Sequence, residues 1–403
     1  MKRIKIPVAL VGIYFAMIGQ TIGQTNRDTV YQTKPLKLQE VNLVSSYYTQ
    51  EGNHSAIRGG IGDEHVMDLA NGLGLTFVGR DADNAKHTLT AGLGIDYHTA
   101  ASSAYVSKTG ASQTGGTRVY PSIDWLKENE EKGSSFGLGA YYSAEYNYHS
   151  LGLNLSFSQK TKNNGQFDGK ANLFLDKVKM IYPSELIPVT SAVSSSSRGG
   201  EDDDTPSSGR TTFSLSATFS QVINKRMQAS VNVDFVEQNG YLGLPFHRVY
   251  LADGSAKVEN LPTNRFKLPI GIRLNYFAGD NFILRSYYRF YVDQWGIVAH
   301  TAELEVPVKI TPFFSLSPFY RFYTQTAAYY FAPYEKHSIG DEYYTSNYAL
   351  SALTSQYAGM GLKITPPNGI LKTHLSSLEI RYGHYLQSTD LYANMLSTSL
   401  QFK

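Results

Sequence analysis

The 403-residue sequence contains no cysteine, so it cannot form a disulfide bond, a thiolate metal site or a cysteine nucleophile. Charged residues make up 17% of the chain, well below the level of a typical soluble protein. Its 36 basic residues barely outnumber its 34 acidic ones, which argues against a dedicated nucleic-acid-binding protein. The chain is instead rich in tyrosine (30) and glycine (35). This composition is typical of a β-barrel with one lipid-facing and one water-facing surface.

The first residues form the pattern of an export signal. Lys2, Arg3 and Lys5 precede an apolar run over residues 6–18, and small residues follow up to Gly23. The run is shorter than the roughly 20 apolar residues that a membrane helix needs. The sequence therefore predicts a signal peptide over residues 1–23, a periplasmic N-terminal tail over residues 24–40 and a barrel over residues 41–403.

Beyond residue 40 the chain alternates apolar and polar residues with a period of two. In "FGLGAYYSAEYNY" (136–148) and "LGLNLSFS" (151–158), one side is apolar and the other carries mainly glycine, serine and asparagine. Such segments recur about 16 times, with 14 as the alternative, and short polar connections alternate with long ones. The pattern predicts an all-β, transmembrane antiparallel barrel with short periplasmic turns and long, partly folded extracellular loops.

The predicted location is the outer membrane of a Gram-negative bacterium. The chain ends in an amphipathic segment with Phe402 next to last, which resembles the signal that the outer-membrane assembly machinery reads. Outer-membrane lipid and that machinery are thus the expected partners, and nucleic acid is not.

Charged residues recur at the inward positions of the C-terminal half. Taken as a lumen charge array, they are Arg273, Arg285, Arg289, Asp293, Glu303, Glu305, Lys309, Arg321, Glu379 and Arg381. With a turn near Gly296, Arg289 is expected opposite Glu303 and Tyr287 opposite Glu305. The array fits either a selectivity zone for charged solutes or a self-neutralising structural network.

Glycine takes the inward positions of the N-terminal half. They are Gly72, Gly74, Gly92, Gly94, Gly137, Gly139 and Gly152. Missing side chains would make room for an inserted loop or a tightly curved wall. The long connections after residues 239 and 326 are rich in aromatic residues and proline, and we expect them to be folded.

The chain contains no GxSxG, HExxH or phosphate-binding loop motif. His300 and His384 project towards lipid and are the only basis for an outer-leaflet hydrolase. His247, Arg248 and His337 are candidate functional residues in the loops, and the two histidines could share a metal ion. No metal site and no cofactor is predicted from these residues.

Segments such as "PFHRVYLADG", "SYYTQEGNHSAIRGGIGDE" and the run from Tyr287 to Tyr334 resemble a family of uncharacterised Gram-negative outer-membrane barrels, filed as a domain of unknown function. Genes of that family are sometimes found near flavin-transferase and thioredoxin-like genes. The resemblance therefore implies a possible lipoprotein or redox partner in extracytoplasmic electron transfer. It supplies no catalytic residues.

Two functions remain open from the sequence. One is a porin-like transport channel, and the other is a membrane scaffold of an envelope complex. The electron-transfer component and the hydrolase are the further alternatives, and we do not expect an enzyme.

Overall fold

The computed structural model describes residues 33–99, 116–186 and 206–403. Their strands form one closed antiparallel sheet and a separate two-stranded hairpin. The strands of the large sheet are β1 (Lys34–Glu51), β2 (Val66–Arg80), β3 (Lys86–His98), β4 (Gly116–Asn129), β5 (Ser134–Glu145), β6 (Tyr148–Lys160), β7 (Gly165–Lys179), β8 (Ser207–Asn224), β9 (Met227–Gly240), β12 (Asn264–Ala278), β13 (Phe282–Asp293), β14 (Val298–Glu305), β15 (Val308–Thr311), β16 (Phe314–Gln325), β17 (Leu353–Ile364), β18 (Leu375–Gln387) and β19 (Leu391–Phe402). The hairpin consists of β10 (Arg248–Tyr250) and β11 (Ala256–Val258).

The large sheet closes into a barrel of 16 strands, because β14 and β15 are two parts of one strand, interrupted at Val306 and Pro307, and both pair with β13 and β16. The barrel closes where β1 pairs with both β19 and β2, so that Ser46 lies opposite Ser397 on one side and Ala70 on the other. The predicted barrel and its strand number are confirmed.

The first strand starts earlier than predicted. β1 begins at Lys34, which pairs with Arg80, so the barrel includes residues 34–40 that the sequence assigned to the tail. Register shifts after Lys34 and after Leu38 interrupt the alternation there, which explains why the pattern missed these residues. The predicted signal peptide lies outside the described residues.

The two ends of the barrel differ in their connections, as predicted. The periplasmic end has turns over residues 81–85, 130–133, 161–164, 225–226, 279–281, 312–313 and 365–374. The outer end has connections over residues 52–65, 146–147, 241–263, 294–297, 326–352 and 388–390, and those from β3 to β4 and from β7 to β8 also start there. Within the part of the chain that the structure describes, no helix is long and apolar enough to cross a membrane.

Most of the best-buried core lies in the outer connections, and the outer end of β14 adds Ala299 to it. Apolar wall residues such as Leu153 and Phe213 face outwards and are about half exposed. Val249 and Leu251, in contrast, are fully buried at the outer end. A core cluster there comprises Leu261, Trp295, Ile297, Ala299 and Ala328. We call the connections 52–65, 241–263, 294–297 and 326–352 together the cap.

Candidate functional site

The cap covers the outer mouth of the barrel from opposite sides. The connection from β1 to β2 and the connection from β9 to β12 lie eight strands apart in the 16-stranded ring. Even so, Arg248 Nη1 donates a hydrogen bond of 2.7 Å to the Ile57 carbonyl, which joins these two connections. His54 of the first connection also stacks on Tyr348 of residues 326–352, with ring centroids 3.7 Å apart. The contact between Arg248 and Ile57 joins opposite rims, so the cap spans the outer mouth of the lumen.

The three loop residues singled out from the sequence all lie in the cap, and all are buried. Besides its contact with Ile57, Arg248 donates from Nε to Glu185 Oε1 at 2.5 Å. This guanidinium therefore joins three outer connections. It has the geometry of a structural anchor.

The two loop histidines are joined through protein groups. His247 Nδ1 lies 3.5 Å from Glu259 Oε2, and Glu259 Oε1 accepts a 2.5 Å hydrogen bond from the Thr345 hydroxyl. The Thr345 carbonyl lies 3.0 Å from His337 Nε2. The His337 ring thus has a hydrogen-bond partner, whereas His247 Nδ1 approaches Glu259 without forming a hydrogen bond. Among the described residues there is no cluster of three or more histidine, aspartate or glutamate side chains placed to hold a metal ion.

Glu259 is the central charge of the cap. Burial raises the pKa of its carboxyl, but the His247 ring, the Thr345 hydroxyl and the Leu244 amide outweigh that effect, and the net pKa lies below the usual value. Its Oε2 accepts the Leu244 amide at 2.9 Å. A charged carboxylate with these donors holds the cap together at neutral pH.

Inside the barrel, the lumen charge array divides into paired and unpaired members. Glu305 accepts from Arg285 Nη1 at 3.3 Å and from Arg381 Nη1 at 2.9 Å. Glu379 lies 3.5 Å from both Arg381 and Lys363. These ion pairs link β13, β14, β17 and β18, so they hold the wall together.

The predicted register of the array is wrong by two residues. Glu303 lies opposite Tyr287, and Glu305 lies opposite Arg285, whereas Arg289 lies opposite Thr301. The hairpin is centred on Trp295, because Asp293 Oδ1 accepts from the amides of both Trp295 and Ile297 at 3.0 Å. Moving the centre of a hairpin by one residue moves every cross-strand pair by two.

Three arginines of the array have no carboxylate within 4.0 Å among the described residues: Arg273, Arg289 and Arg321. Arg273 lies over the Tyr287 ring at 5.1 Å, and Arg321 lies over the Tyr357 ring at 4.9 Å. The Nε of Arg289 is buried without a hydrogen-bond partner. Glu303 faces Arg321 across the ladder but forms no ion pair with it within that distance. Lys309 lies in the short strand β15 near the periplasmic end and is exposed.

Asp293 belongs to the outer rim of the barrel. Arg265 donates to its Oδ2, and the Tyr291 hydroxyl donates to the same atom at 2.7 Å. Arg265 also lies over the indole ring of Trp295, with its guanidinium carbon 4.1 Å from the ring centroid. This aspartate therefore joins the lumen wall to the core of the cap.

Two similar rim sites were missed from the sequence. In the first, Arg118 Nη2 donates to Asp96 at 2.9 Å and Tyr120 donates to the same carboxylate at 2.7 Å. In the second, Arg210 Nε donates to Asp176 at 2.7 Å and its Nη2 donates to the Tyr148 hydroxyl at 2.9 Å. The sequence pattern that could have predicted both sites is an inward aspartate at the outer end of one strand opposite an inward arginine on the next strand.

The inward glycines make room for side chains of neighbouring strands. A Cβ at Gly94 would overlap the ring of Tyr120, and one at Gly152 would overlap Phe174. In contrast, a Cβ at Gly72 would meet no atom within 4 Å. Aromatic rings from the neighbouring strands, and not an inserted loop, thus fill the space of the missing side chains at Gly94 and Gly152.

The periplasmic half of the lumen contains a polar cavity of about 730 Å³. Serine and threonine side chains of β5, β6, β8 and β9 line one part of it, together with Asp168, Lys170 and Asp234. Arg273 and Tyr287, on the next strands β12 and β13, also line it. This end of the lumen is therefore polar, and its wall carries both acidic and basic side chains.

The two lipid-facing histidines have protein partners of their own. His300 Nδ1 lies 2.7 Å from the Tyr288 hydroxyl, and His384 Nδ1 lies 2.9 Å from Asn394 Oδ1. Among the described residues, no serine hydrogen bond to either ring is present. Their geometry is that of aromatic and polar side chains at a membrane interface.

A family profile described as "Protein of unknown function (DUF3570)" matches residues 78–402. The chain belongs to this family. No curated protein matches the chain.

Among solved structures, the chain is similar to the outer membrane protein OprD from Pseudomonas aeruginosa, at 8% identity over 91% of this chain and 93% of that chain, with a TM-score of 0.43. A BenF-like porin from Pseudomonas fluorescens matches at 8% identity over 90% and 98% of the two chains, with a TM-score of 0.41. A bacterial polysaccharide outer membrane secretin matches at 10% identity over 90% and 98%, with a TM-score of 0.43. Similarities of this size do not bear on function.

Proposed function

We propose that this protein is a solute channel of the Gram-negative outer membrane, with a wet lumen and an outer mouth closed by the cap. The observation that carries the proposal is the polar cavity of about 730 Å³ in the periplasmic half of the lumen. A barrel that served only as an anchor would not need a lumen lined with serines and unpaired arginines. The cap then acts as the gate.

The lumen charge array supports a preference for anions. Arg285 and Arg381 are both paired with Glu305 and belong to the wall. Arg273 and Arg321 lie on aromatic rings, and neither has a carboxylate within 4.0 Å in the described part of the chain. Their positive charges can therefore interact with a solute in the lumen. Unpaired guanidinium groups attract anions and disfavour cations in a narrow aqueous path.

Single-channel recordings in planar bilayers test the gate. Trp295 is 2% exposed at the centre of the cap core, and removal of such a side chain costs about 3–5 kcal/mol. Trp295→Ala should therefore loosen the cap and increase the conductance or the open time. The matched control is Trp125→Ala, which removes the only other tryptophan of the chain from the lipid-facing side of β4.

The reversal potential in a salt gradient should show anion preference. A barrel that remains silent both as wild type and as Trp295→Ala would contradict the channel.

A scaffold is the second candidate, and one feature of the periplasmic end favours it. Leu371 is 91% exposed in the 365–374 turn, and both Leu371 and Lys372 have positive φ, at 55° and 61°. A strained turn that holds a leucine in solvent suits a docking contact. A periplasmic partner should co-purify in mild detergent and be lost with Leu371→Asp. It should be retained with Ile339→Asp, which changes an exposed cap residue; equal retention in both variants would count against the scaffold.

A further inference from the structure

A second cavity, of about 300 Å³, lies in the outer half of the lumen. Tyr48, Tyr357, Tyr385, Met395 and Arg321 line it, which places it between β1 and the strands β16 to β19. Leu391 also lines it, and a Cβ added to Gly52 in the cap would lie 3.5 Å from the Leu391 Cβ. The cavity therefore lies directly under the cap, on the path from the outer mouth.

The tyrosine hydroxyls of this cavity are occupied by the wall. Tyr48 donates to Gln50 Oε1 at 2.7 Å, and Tyr385 donates to Gln387 Oε1 at 2.6 Å. The Tyr357 hydroxyl contacts Met395 Sδ at 3.8 Å. With these donors satisfied, the tyrosines and Met395 offer mainly ring carbon and sulfur to a ligand.

Arg321 is the only charged residue among the described residues that line this cavity. It lies over the Tyr357 ring at 4.9 Å and has no carboxylate within 4.0 Å in residues 33–99, 116–186 and 206–403. Arg381, on the same wall, also lies over an aromatic ring, Phe319 at 5.0 Å, but is paired with Glu305 and Glu379. Of these two similar arginines, the one whose charge is not neutralised faces the aromatic cavity.

We propose that this cavity binds small monocarboxylates with a flat apolar body, an aromatic monocarboxylate above all. The guanidinium of Arg321 can hold both oxygens of a carboxylate, and the tyrosines and Met395 can pack on the ring. The cavity is at the lower limit of the size of ligand pockets, which fits a single-ring molecule. That these molecules are also the solutes of the channel rests on the proposed function.

Isothermal titration of the purified full-length barrel in detergent tests the site, with benzoate as the probe. Benzamide, which has the ring without the charge, and acetate, which has the charge without the ring, should each bind at least about tenfold more weakly than benzoate. Arg321→Gln should weaken benzoate binding by about ten- to a hundredfold, the range for a lost hydrogen-bonded charge. The matched control Arg381→Gln should stay within about twofold of wild type.

A second variant separates binding from folding. Tyr357→Ala keeps Arg321 but removes its ring partner, so it should weaken binding of benzoate more than binding of acetate. The shift in gel mobility on heating, which reports a folded barrel, should be retained in every variant. Absence of benzoate binding to the wild type, equal losses in Arg321→Gln and Arg381→Gln, or equal binding of benzamide would each overturn the site. Titration needs no ion current, so a silent channel that binds benzoate would contradict only the proposed function.

Discussion

Glu64 is a partly buried carboxyl at the end of the first outer connection, next to Gly52 and the start of β2. Burial raises its pKa to about 7, while the charge of His247 and a hydrogen bond from Gln50 partly oppose the shift. The Tyr48 hydroxyl also lies within electrostatic range of the Glu64 carboxyl. The packed cap therefore favours the protonated carboxyl.

This shift predicts a pH-dependent cap. A pKa raised from 4.5 to about 7 contributes stability that is fully present below about pH 4.5 and is lost as the pH rises through about 7. Hydrogen exchange of the cap, corrected for intrinsic rates, should thus be faster at about pH 8 than at about pH 5. Glu64→Gln should flatten this difference, and Glu51→Gln, at a half-exposed carboxylate paired with His65, should keep it. An unchanged difference in Glu64→Gln would exclude Glu64 as the cause.

At the scale of single strands, the fit between glycine and a neighbouring ring decides where side chains can be added. Gly94 and Gly72 are both inward glycines on adjacent strands, but only Gly94 has a ring, that of Tyr120, lying over it. Tyr120 in turn donates to Asp96, so displacing its ring would also disturb a rim ion pair.

Gly94→Ala should therefore destabilise the barrel by about 1–3 kcal/mol, the usual result of overpacking. Gly72→Ala is the matched control, because its new methyl group would meet open space, and it should be neutral or slightly stabilising. The stability of each variant is measured by heating samples to increasing temperatures and recording the temperature at which the band of the folded barrel disappears from the gel. Equal losses in the two variants would show that the Tyr120 contact is not the reason.

Strand pairing also shows which features of the strands can be predicted from the sequence and which cannot. Alternation placed Arg285, Glu303 and Glu305 on the inward face, and the structure agrees. It did not place them opposite the right partners, because the offset between two strands depends on the hairpin turn at Asp293 and Trp295. The rim sites at Asp96 and Asp176 escaped notice for a similar reason, since each depends on pairing with a residue 22 or 34 positions away.

For the molecule as a whole, closure of the barrel brings the two ends of the described chain together. Ser46 in β1 and Ser397 in β19 are direct partners in the ladder, and both face the lumen. Directly opposed residues of antiparallel strands have Cα atoms about 4.5–5.5 Å apart, within the range that a disulfide bond can span. The absence of natural cysteine makes the test unambiguous.

The double variant Ser46→Cys with Ser397→Cys should form a disulfide bond on mild oxidation and raise the temperature of unfolding. Ser46→Cys with Thr398→Cys is the control, because Thr398 is opposite Ser45 and points to the other face. Peptide mass spectrometry without reduction detects the bond. A bond in the control pair, or in neither pair, would contradict the seam between β1 and β19.

The sequence alone determined the barrel, its approximate strand number, the asymmetry of its two ends and the face on which the regularly alternating wall residues lie. These properties are local, because a period of two and the length of each connection can be read within a few residues. Only the tertiary structure decided the cap, the cavities and the difference between paired and unpaired arginines. Arg248 and Ile57 are 191 positions apart, and Arg381 is paired with Glu305 of another strand whereas Arg321 forms no ion pair among the described residues. Such contacts depend on strand register and on connections that meet across the mouth, and no local pattern encodes them.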